Sequence, residues 1–264
     1  MTPAAPDDPT ITAAGPARGS TIVFLHGTRL TRAAWSPQLD ALSDEFRTIA
    51  IDLPAHGSRA GEAFELDGAA EMVAATILQQ AADGQAIVVG LSLGGYVAMV
   101  LAARYPEQVR GIVLAGATAE PVGVRSIPYR ALAVILDRFE GPALRRVNEW
   151  FFRTRYPAAI ADPIVAGGFW SDGGAHALRS LFGQRFLPRL ASYAGPTLIV
   201  NGEWDLLFRL SARTFAAAAQ DVRRVRLSRA LHLSNLDQPA AFNAAIRAFA
   251  RSLDDPPATR RSGR

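Results

Sequence analysis

The sequence predicts an α/β protein in which a mostly parallel central sheet is flanked by helices. Short runs without charge and rich in β-branched residues recur along the chain, and stretches with helical periodicity separate them. Strand and helix alternate in this way several times before residue 118, and the alternation resumes after residue 194. Strands that are apolar along their whole length are typical of parallel sheets, because helices cover both faces of such sheets.

The elements follow one another in a regular order. A weak strand at 10–12 lies in a Pro- and Ala-rich stretch, 1–19, which we predict to be a flexible leader. The later strands end at small or polar residues, and the helices between them carry apolar residues on one face. Strands are predicted at 21–25, 46–52, 86–89, 109–115, 196–202 and 222–227, and helices at 33–42, 67–82, 95–104, 209–219 and 239–253.

Residues 119–193 interrupt this alternation, because they contain helical stretches rich in Arg and aromatic residues and no convincing strand. A segment of about seventy residues is too long for an ordinary crossover connection. We therefore predict a helical cap at 119–193, inserted into a core that consists of 20–118 and 194–253. The last residues, 254–264, carry two prolines and three arginines and are predicted to be a disordered tail.

The composition excludes several kinds of chemistry. The chain has no cysteine, and its 28 basic residues are all arginine. Disulfides, thiolate metal sites, cysteine nucleophiles and the lysine chemistry of P-loops and Schiff bases are therefore excluded. The net charge of +4 is small and gives little support for a nucleic-acid partner. The four histidines lack the spacing of metal ligands, so no metal site is predicted and no cofactor is expected.

No membrane span is predicted. Residues 86–103 carry no charge and approach the length of a spanning helix. Gly90, Ser92 and Gly94 nevertheless divide them into a strand and a helix, and a fully buried strand and helix need the same composition. The first twenty residues lack the apolar segment of a signal peptide. We therefore expect a cytoplasmic protein.

A five-residue stretch, Gly90-Leu91-Ser92-Leu93-Gly94, joins a buried strand to a long apolar helix. The glycines on either side of Ser92 allow the strand and the helix to pass closely, as in the nucleophile-elbow pattern G-x-S-x-G. The new helix directs its first amides toward the group that the serine attacks. Ser92 is therefore the predicted nucleophile, and the backbone N–H of Leu93 is a predicted oxyanion donor.

A serine nucleophile needs a base, and His232 is the predicted one. It lies between the last strand and the last helix, at the carboxyl edge of the sheet where the elbow also lies. His26 and His56 follow earlier strands and are predicted to have structural roles. His176 is predicted to lie on the surface of the cap.

The base needs a carboxylate that orients it, and Asp205 is the predicted one. It follows the strand at 196–202 and precedes His232 by 27 positions, which leaves room for one helix and one strand. Glu203 and Glu120 are alternatives. Asp205 could also serve only as the N-cap of the following helix.

The sequence resembles the α/β-hydrolase family in four motifs. These motifs are His26-Gly27-Thr28, Asp52-Leu53-Pro54-Ala55-His56-Gly57-Ser58, the elbow at 90–94, and the pair of Asp205 and His232. The chain order Ser, Asp, His is also that family's order. The resemblance implies the α/β-hydrolase fold, with the cap inserted after the sixth strand and a substrate cleft between sheet and cap. It further implies that the N–H of Thr28 is the second oxyanion donor.

The substrate pocket is predicted to be aromatic, with Trp35, Trp150, Trp170 and Trp204 among its lining residues. A cap arginine that turns inward could bind a substrate carboxylate, although a solvated helix face is the simpler interpretation. The arginines concerned are Arg125, Arg130, Arg138, Arg145, Arg146, Arg153 and Arg155.

Taken together, these residues predict a cofactor-independent serine hydrolase that cleaves a small carboxylic ester or lactone through an acyl-enzyme on Ser92. The same triad could instead perform C–C bond hydrolysis, perhydrolysis or lyase chemistry, and a non-catalytic ligand-binding protein of this fold is a third interpretation. An aspartate-nucleophile dehalogenase or epoxide hydrolase is excluded by Ser92. A nucleic-acid role for the arginines at 223–229 is least favoured, because no aromatic residue is interleaved with them. The sequence makes no prediction about the oligomeric state.

Overall fold

The computed structural model describes residues 8–139 and 141–254. Its strands are β1 (Ile11–Ala14), β2 (Thr21–Leu25), β3 (Arg47–Ile51), β4 (Ala86–Leu91), β5 (Val109–Ala115), β6 (Pro196–Gly202) and β7 (Asp221–Leu227). They form one sheet with the order β1-β3-β2-β4-β5-β6-β7. Every neighbouring pair is parallel except β1 and β3, which are antiparallel. The predicted fold class, a mostly parallel sheet flanked by helices, is confirmed.

Helices connect the strands and also fill the long segment between β5 and β6. The α-helices of the described residues are α1 (Ser36–Leu42), α2 (Leu66–Gln80), α3 (Leu93–Arg104), α4 (Ile127–Arg138), α5 (Pro142–Arg155), α6 (Ala158–Gly167), α7 (Ser171–Ser180), α8 (Leu187–Ser192), α9 (Leu206–Ala218), α10 (Ser234–Asp237) and α11 (Pro239–Asp254). Short 3-10 helices are found at Arg32–Trp35, Gly57–Arg59, Pro106–Gln108 and Gly123–Ser126.

The sheet buries apolar side chains on both of its faces. In β4, Val88 belongs to the core that contains α2 and α3, whereas its neighbour Val89 belongs to the core that contains α1 and α11. Successive side chains of a strand point to opposite faces. A strand covered on both sides must therefore be apolar at every position, and this is why β4 reads as a continuous uncharged run.

The segment between β5 and β6 consists of α4 to α8 and contains no strand in its described part. Its helices pack on the core in two places. Phe186, just before α8, packs against Tyr96 of α3, with ring centroids 4.4 Å apart and planes inclined by 45°. Phe152 of α5 and Ile164 of α6 form a separate cluster with Leu30, in the loop after β2. These contacts hold the helical segment over that loop, where the predicted cap would cover a cleft.

Two predicted boundaries change in the structure. The weak strand predicted at 10–12, within the predicted leader 1–19, is β1 at Ile11–Ala14, and it pairs with β3 as an edge strand of the sheet. The helical segment follows β5, the fifth strand of the described residues, and not a sixth, since β1 alone precedes Thr21 there. Residues 1–7 and most of the predicted tail, 255–264, lie outside the described residues.

The uncharged run at 86–103 is divided between β4 and α3 at Ser92, as predicted. In the described part of the chain, no helix combines the length and the apolar character that crossing a membrane requires.

Candidate active site

Ser92 lies at the sharp turn from β4 into α3. Its backbone angles are φ 52° and ψ −112°, a strained conformation for a residue with a side chain. Glycines provide the necessary space: a Cβ on Gly90 would collide with the backbone of Gly94, and a Cβ on Gly94 would collide with the carbonyl of Leu25 in β2. A hydrogen bond of 2.8 Å from the Ser92 N–H to the Ala115 carbonyl holds the turn against β5. Ser92 is thereby presented at the carboxyl edge of the sheet.

His232 and Asp205 are brought together from two loops at the same edge. The His232 Nδ1 lies 2.9 Å from Asp205 Oδ2, and the carboxylate is buried. Asp205 occupies the N-cap position of α9 but makes no side-chain cap hydrogen bond, so its carboxylate is used by the histidine and not by the helix. This contact places the proton on Nδ1 and leaves Nε2 free to accept one.

Two further residues position the imidazole of His232, and sequence reasoning missed both. Phe208 of α9 stacks on the ring, with centroids 4.8 Å apart and planes inclined by 20°. Gly116, directly after β5, has a φ of +54°, and a Cβ there would lie 2.9 Å from both Nδ1 and Cε1 of the imidazole. A glycine at the carboxyl end of a central strand was the signal available in the sequence.

The two alternative carboxylates have other partners. Glu203 accepts a hydrogen bond of 3.0 Å from the backbone N–H of Arg229, which ties the loop of Asp205 to the loop of His232. Glu120 is buried and accepts hydrogen bonds of 2.8 Å from the backbone N–H groups of Phe186 and Leu187, at the start of α8. Both glutamates therefore support the structure around the pair without contacting the histidine.

Asp237 connects the loop of His232 to the helical segment. One of its oxygens accepts a hydrogen bond of 2.7 Å from the N–H of Leu231, the residue before His232. The other accepts hydrogen bonds of 2.8 Å from the Tyr156 hydroxyl and from the Arg155 guanidinium at the end of α5. The side chain of Asp237 is 2% exposed, whereas that of Arg155 is 35% exposed, so the link has a buried acceptor and a partly exposed arginine donor. Sequence reasoning did not single out Asp237.

His26 and His56 hold the loop that carries Thr28. The Nε2 atom of His26 accepts a hydrogen bond of 3.0 Å from the Leu53 N–H, and that of His56 accepts one of 3.2 Å from the Arg29 N–H. Each Nδ1 lies 2.9 Å from a backbone carbonyl, so both rings are neutral. Burial lowers the pKa of His26. Burial, and after it the electrostatic interaction with the neighbouring His26, lowers the pKa of His56 to about 3.

Ser92, Asp205 and His232 line one cavity of about 510 Å³. Its wall is largely apolar and is formed by residues of the helical segment between β5 and β6 and by residues of the core. The helical segment contributes Pro128, Tyr129, Leu132, Asn148, Phe151, Phe152 and Leu178, and the core contributes Gly27, Thr28, Arg29, Leu30, Leu91, Leu207, Phe208 and Leu233. Within the described chain His232 has no hydrogen bond to the Ser92 hydroxyl, and such catalytic contacts often shorten only when substrate binds.

The two predicted oxyanion donors differ in position. Thr28 lines the cavity beside Ser92. Leu93 is buried and its side chain faces the core, but as the first residue of α3 its N–H precedes the helical hydrogen-bond pattern. Both N–H groups therefore belong to loop or helix-end backbone next to the serine.

None of the four predicted pocket tryptophans lines this cavity in the structure as described, so that prediction is wrong. Trp35 is buried in the core on the α1 side of the sheet, and Trp150 and Trp204 are 67% and 54% exposed. The indole of Trp170 donates to a backbone carbonyl within the cap segment. Proximity in sequence to a candidate catalytic loop does not determine the direction of a side chain: Trp35 packs in the core, and Trp150 and Trp204 face solvent.

The arginine on the cavity is Arg29 and not one of the seven candidate cap arginines named from the sequence, which are all exposed. Arg29 follows Thr28 in a left-handed conformation with a φ of +67°. It donates a hydrogen bond of 3.3 Å to Asn148 Oδ1 in α5. Burial lowers the pKa of its guanidinium, which nevertheless stays protonated near neutral pH.

No group of three or more acidic or histidine side chains in the described residues is arranged to hold a metal ion.

Comparison with known proteins adds a family and its relatives. A model of the alpha/beta hydrolase family matches residues 22–245. The pimeloyl-[acyl-carrier protein] methyl ester esterase of Nitrosospira multiformis is 26% identical over 264 aligned residues, which cover 88% of this chain and 95% of that protein. The 3-oxoadipate enol-lactonase 1 of Acinetobacter baylyi is 26% identical over 250, which cover 90% and 91%. The crystal structure of E-2-(acetamidomethylene)succinate hydrolase matches with a TM-score of 0.76 and 26% identity, covering 91% of this chain and 94% of that one.

Proposed function

Because the chain belongs to the alpha/beta hydrolase family, we propose that it is a cofactor-independent serine hydrolase that cleaves a small carboxylic ester or lactone through an acyl-enzyme on Ser92. The observation that carries this proposal is the contact of 2.9 Å between His232 Nδ1 and Asp205 Oδ2, on the cavity that Ser92 also lines. A serine hydroxyl becomes a competent nucleophile when an oriented base can take its proton. The similarity to an esterase and to an enol-lactonase supports attack on an acyl–oxygen bond.

The acylation step follows from this arrangement. Ser92 Oγ attacks the carbonyl carbon while His232 Nε2 takes the hydroxyl proton, and Asp205 stabilises the imidazolium without becoming protonated. The N–H groups of Thr28 and Leu93 donate to the oxygen on which negative charge develops. The carbon–oxygen bond to the alcohol then breaks, and His232 returns the proton to the leaving alkoxide.

Deacylation repeats these roles with water. His232 takes a proton from the water as its oxygen attacks the acyl carbon of the ester on Ser92. Collapse of the second tetrahedral intermediate releases the carboxylic acid, and the proton on His232 returns to Ser92.

Two measurements on one pair of variants test the proposal. Wild-type protein should hydrolyse 4-nitrophenyl butyrate and should be labelled by a fluorophosphonate probe at Ser92. Ser92→Ala should lower kcat by about 10⁴-fold or more while leaving the circular dichroism spectrum unchanged. Ser192→Ala, an exposed serine at the end of α8, is the matched control and should retain both properties.

Near-normal turnover by Ser92→Ala, or labelling of another residue, contradicts this assignment. A folded wild-type protein that neither hydrolyses esters nor reacts with the probe would instead be a ligand-binding member of the family.

A further inference from the structure

Arg29 is a cation that lines the active-site cavity. Among the described residues, no carboxylate oxygen lies within 4 Å of its guanidinium nitrogens. The guanidinium of Arg29 donates a hydrogen bond of 3.3 Å to Oδ1 of Asn148, which is a neutral amide. Asp205, the other charged residue of the cavity, is already paired with His232. A guanidinium removed from water is normally compensated by an anion, because its lost hydration must be replaced.

Asn148 provides a second, independent observation. Its side chain is 8% exposed, and Arg29 fixes the orientation of the amide by donating to Oδ1. The Nδ2 group is therefore the free end of the amide, and it is buried without a hydrogen-bond partner. The hydroxyl of Thr28, next to Arg29, is likewise buried without a partner. Arg29, Asn148 and Thr28 all line the same cavity, so both unpartnered groups belong to residues of its wall.

The surrounding structure makes room for the arginine. Gly174 of α7 lies under the Arg29 side chain, and a Cβ there would approach Arg29 Cγ to 2.7 Å. The backbone of Arg29 is held in place by a hydrogen bond of 2.9 Å from the Trp170 N–H to its carbonyl and by His56 at its N–H. The guanidinium is thus a built part of the cavity wall and not a surface side chain that folds inward.

We propose that Arg29 and Asn148 bind a free carboxylate on the acyl part of the substrate, so that the enzyme acts on esters or lactones of dicarboxylic acids. This inference rests on the proposed function, because that function places the reacting carbonyl at Ser92. The leaving alcohol must lie next to His232, which returns its proton. We assign the acyl chain to the part of the cavity that Arg29 and Asn148 line. The guanidinium and the Asn148 amide supply N–H donors that match a carboxylate.

Paired substrates test the proposal. Monomethyl glutarate and methyl pentanoate have acyl chains of equal length that end in a carboxylate and a methyl group, and proton release measures the hydrolysis of both. We expect wild-type kcat/KM to favour the anionic ester by at least about tenfold. Arg29→Gln should bring this ratio down to about one, because the substrate carboxylate then has no charged partner. Monomethyl succinate with methyl butyrate, and monomethyl adipate with methyl hexanoate, cover shorter and longer acids.

Asn148→Asp is the sharper variant. It keeps the shape of the side chain but gives Arg29 an internal carboxylate, so it should lower the same ratio without removing the arginine. Arg146→Gln, on the exposed face of the same helix, is the matched control and should leave the ratio unchanged. A wild-type ratio near one for all three acids, or an Asn148→Asp enzyme that keeps its anionic preference, overturns the proposal.

A binding measurement separates this inference from the proposed function. Glutarate is titrated by calorimetry into Ser92→Ala and into Ser92→Ala combined with Arg29→Gln. Binding that requires Arg29, together with no ester hydrolysis by the wild-type protein, refutes the hydrolase and supports the carboxylate site. Ester hydrolysis without anionic preference, together with no Arg29-dependent binding of glutarate, refutes the carboxylate site and leaves the hydrolase intact.

Discussion

The imidazole of His232 rests against the backbone of Gly116, at a position that has no room for a side chain. A Cβ on Gly116 would lie 2.9 Å from Nδ1 and Cε1 of the ring and 3.1 Å from the Oδ2 of Asp205. Gly116, the residue that follows β5, therefore contacts both His232 and Asp205, and Phe208 stacks on the imidazole ring. The pair is held by the sheet itself as well as by the two loops that carry it.

Gly116→Ala should therefore impair catalysis by displacing the pair. A shift of about 1 Å in a catalytic group typically costs about 10²-fold in rate, so we expect kcat for 4-nitrophenyl butyrate to fall by that order. Gly123→Ala is the matched control, because Gly123 has the same φ of +54° but nothing within 4 Å of its Cβ position. It introduces the backbone strain alone and should keep kcat within about threefold of wild type. Equal activities of the two variants would contradict a positioning role for Gly116.

Asp205→Asn should lower kcat by about 10³ to 10⁴-fold, because an amide cannot stabilise the imidazolium and favours the wrong tautomer of His232. The expected change in KM is small, since Asp205 is committed to the histidine and not to the substrate. Glu203→Gln provides the comparison, because Glu203 was the neighbouring alternative and bonds to the Arg229 N–H instead. A larger loss of kcat in Glu203→Gln than in Asp205→Asn would reverse the assignment.

Asp237→Asn should weaken the link between the His232 loop and α5. An asparagine has one acceptor oxygen where Asp237 has two, so either the Leu231 N–H or the pair of Tyr156 and Arg155 loses its partner. We expect a loss of about 1–3 kcal/mol in the free energy of unfolding by urea, with a lower kcat. Asp162→Asn removes a carboxylate of an exposed ion pair with Arg153 and should change stability by less than about 1 kcal/mol. Similar losses for both variants would show that the link contributes nothing beyond a surface charge.

His56 should make the stability of the protein sensitive to acid. Burial, and after it the electrostatic interaction with His26, lowers the pKa of His56 to about 3, whereas an unfolded histidine has a pKa near 6.5. Between about pH 6.5 and pH 3 the unfolded chain therefore binds a proton that the folded chain does not. The free energy of unfolding then falls as the pH falls through this window, by up to about 1.4 kcal/mol per pH unit.

Urea unfolding at several values between pH 7 and pH 4 measures this slope. His56→Gln should reduce it, whereas His176→Gln, an exposed histidine of the cap segment, should leave it as in wild type. A slope that is unchanged in His56→Gln would show that His56 does not contribute to the acid sensitivity.

Local pattern was sufficient to predict much of the molecule. Uncharged runs and helical periodicity are properties of short segments, and they predicted the alternating strands and helices of the core and the break between β5 and β6. The spacing of Gly90, Ser92 and Gly94 predicted the turn between β4 and α3, because only glycines fit where a strand and a helix pass so closely. The catalytic roles of Ser92, Asp205 and His232 stay predictions until the variants are measured.

The sequence by itself therefore determined the fold class, the elbow and the pairing of a carboxylate with His232, since these depend on local composition and on the order of elements. Only the tertiary structure decided which side chains form the cavity wall. Arg29 meets Asn148 across 119 positions of the chain, and the four tryptophans point elsewhere. The physical reason is that the direction of a side chain is set by packing between distant segments, and no local pattern records that packing.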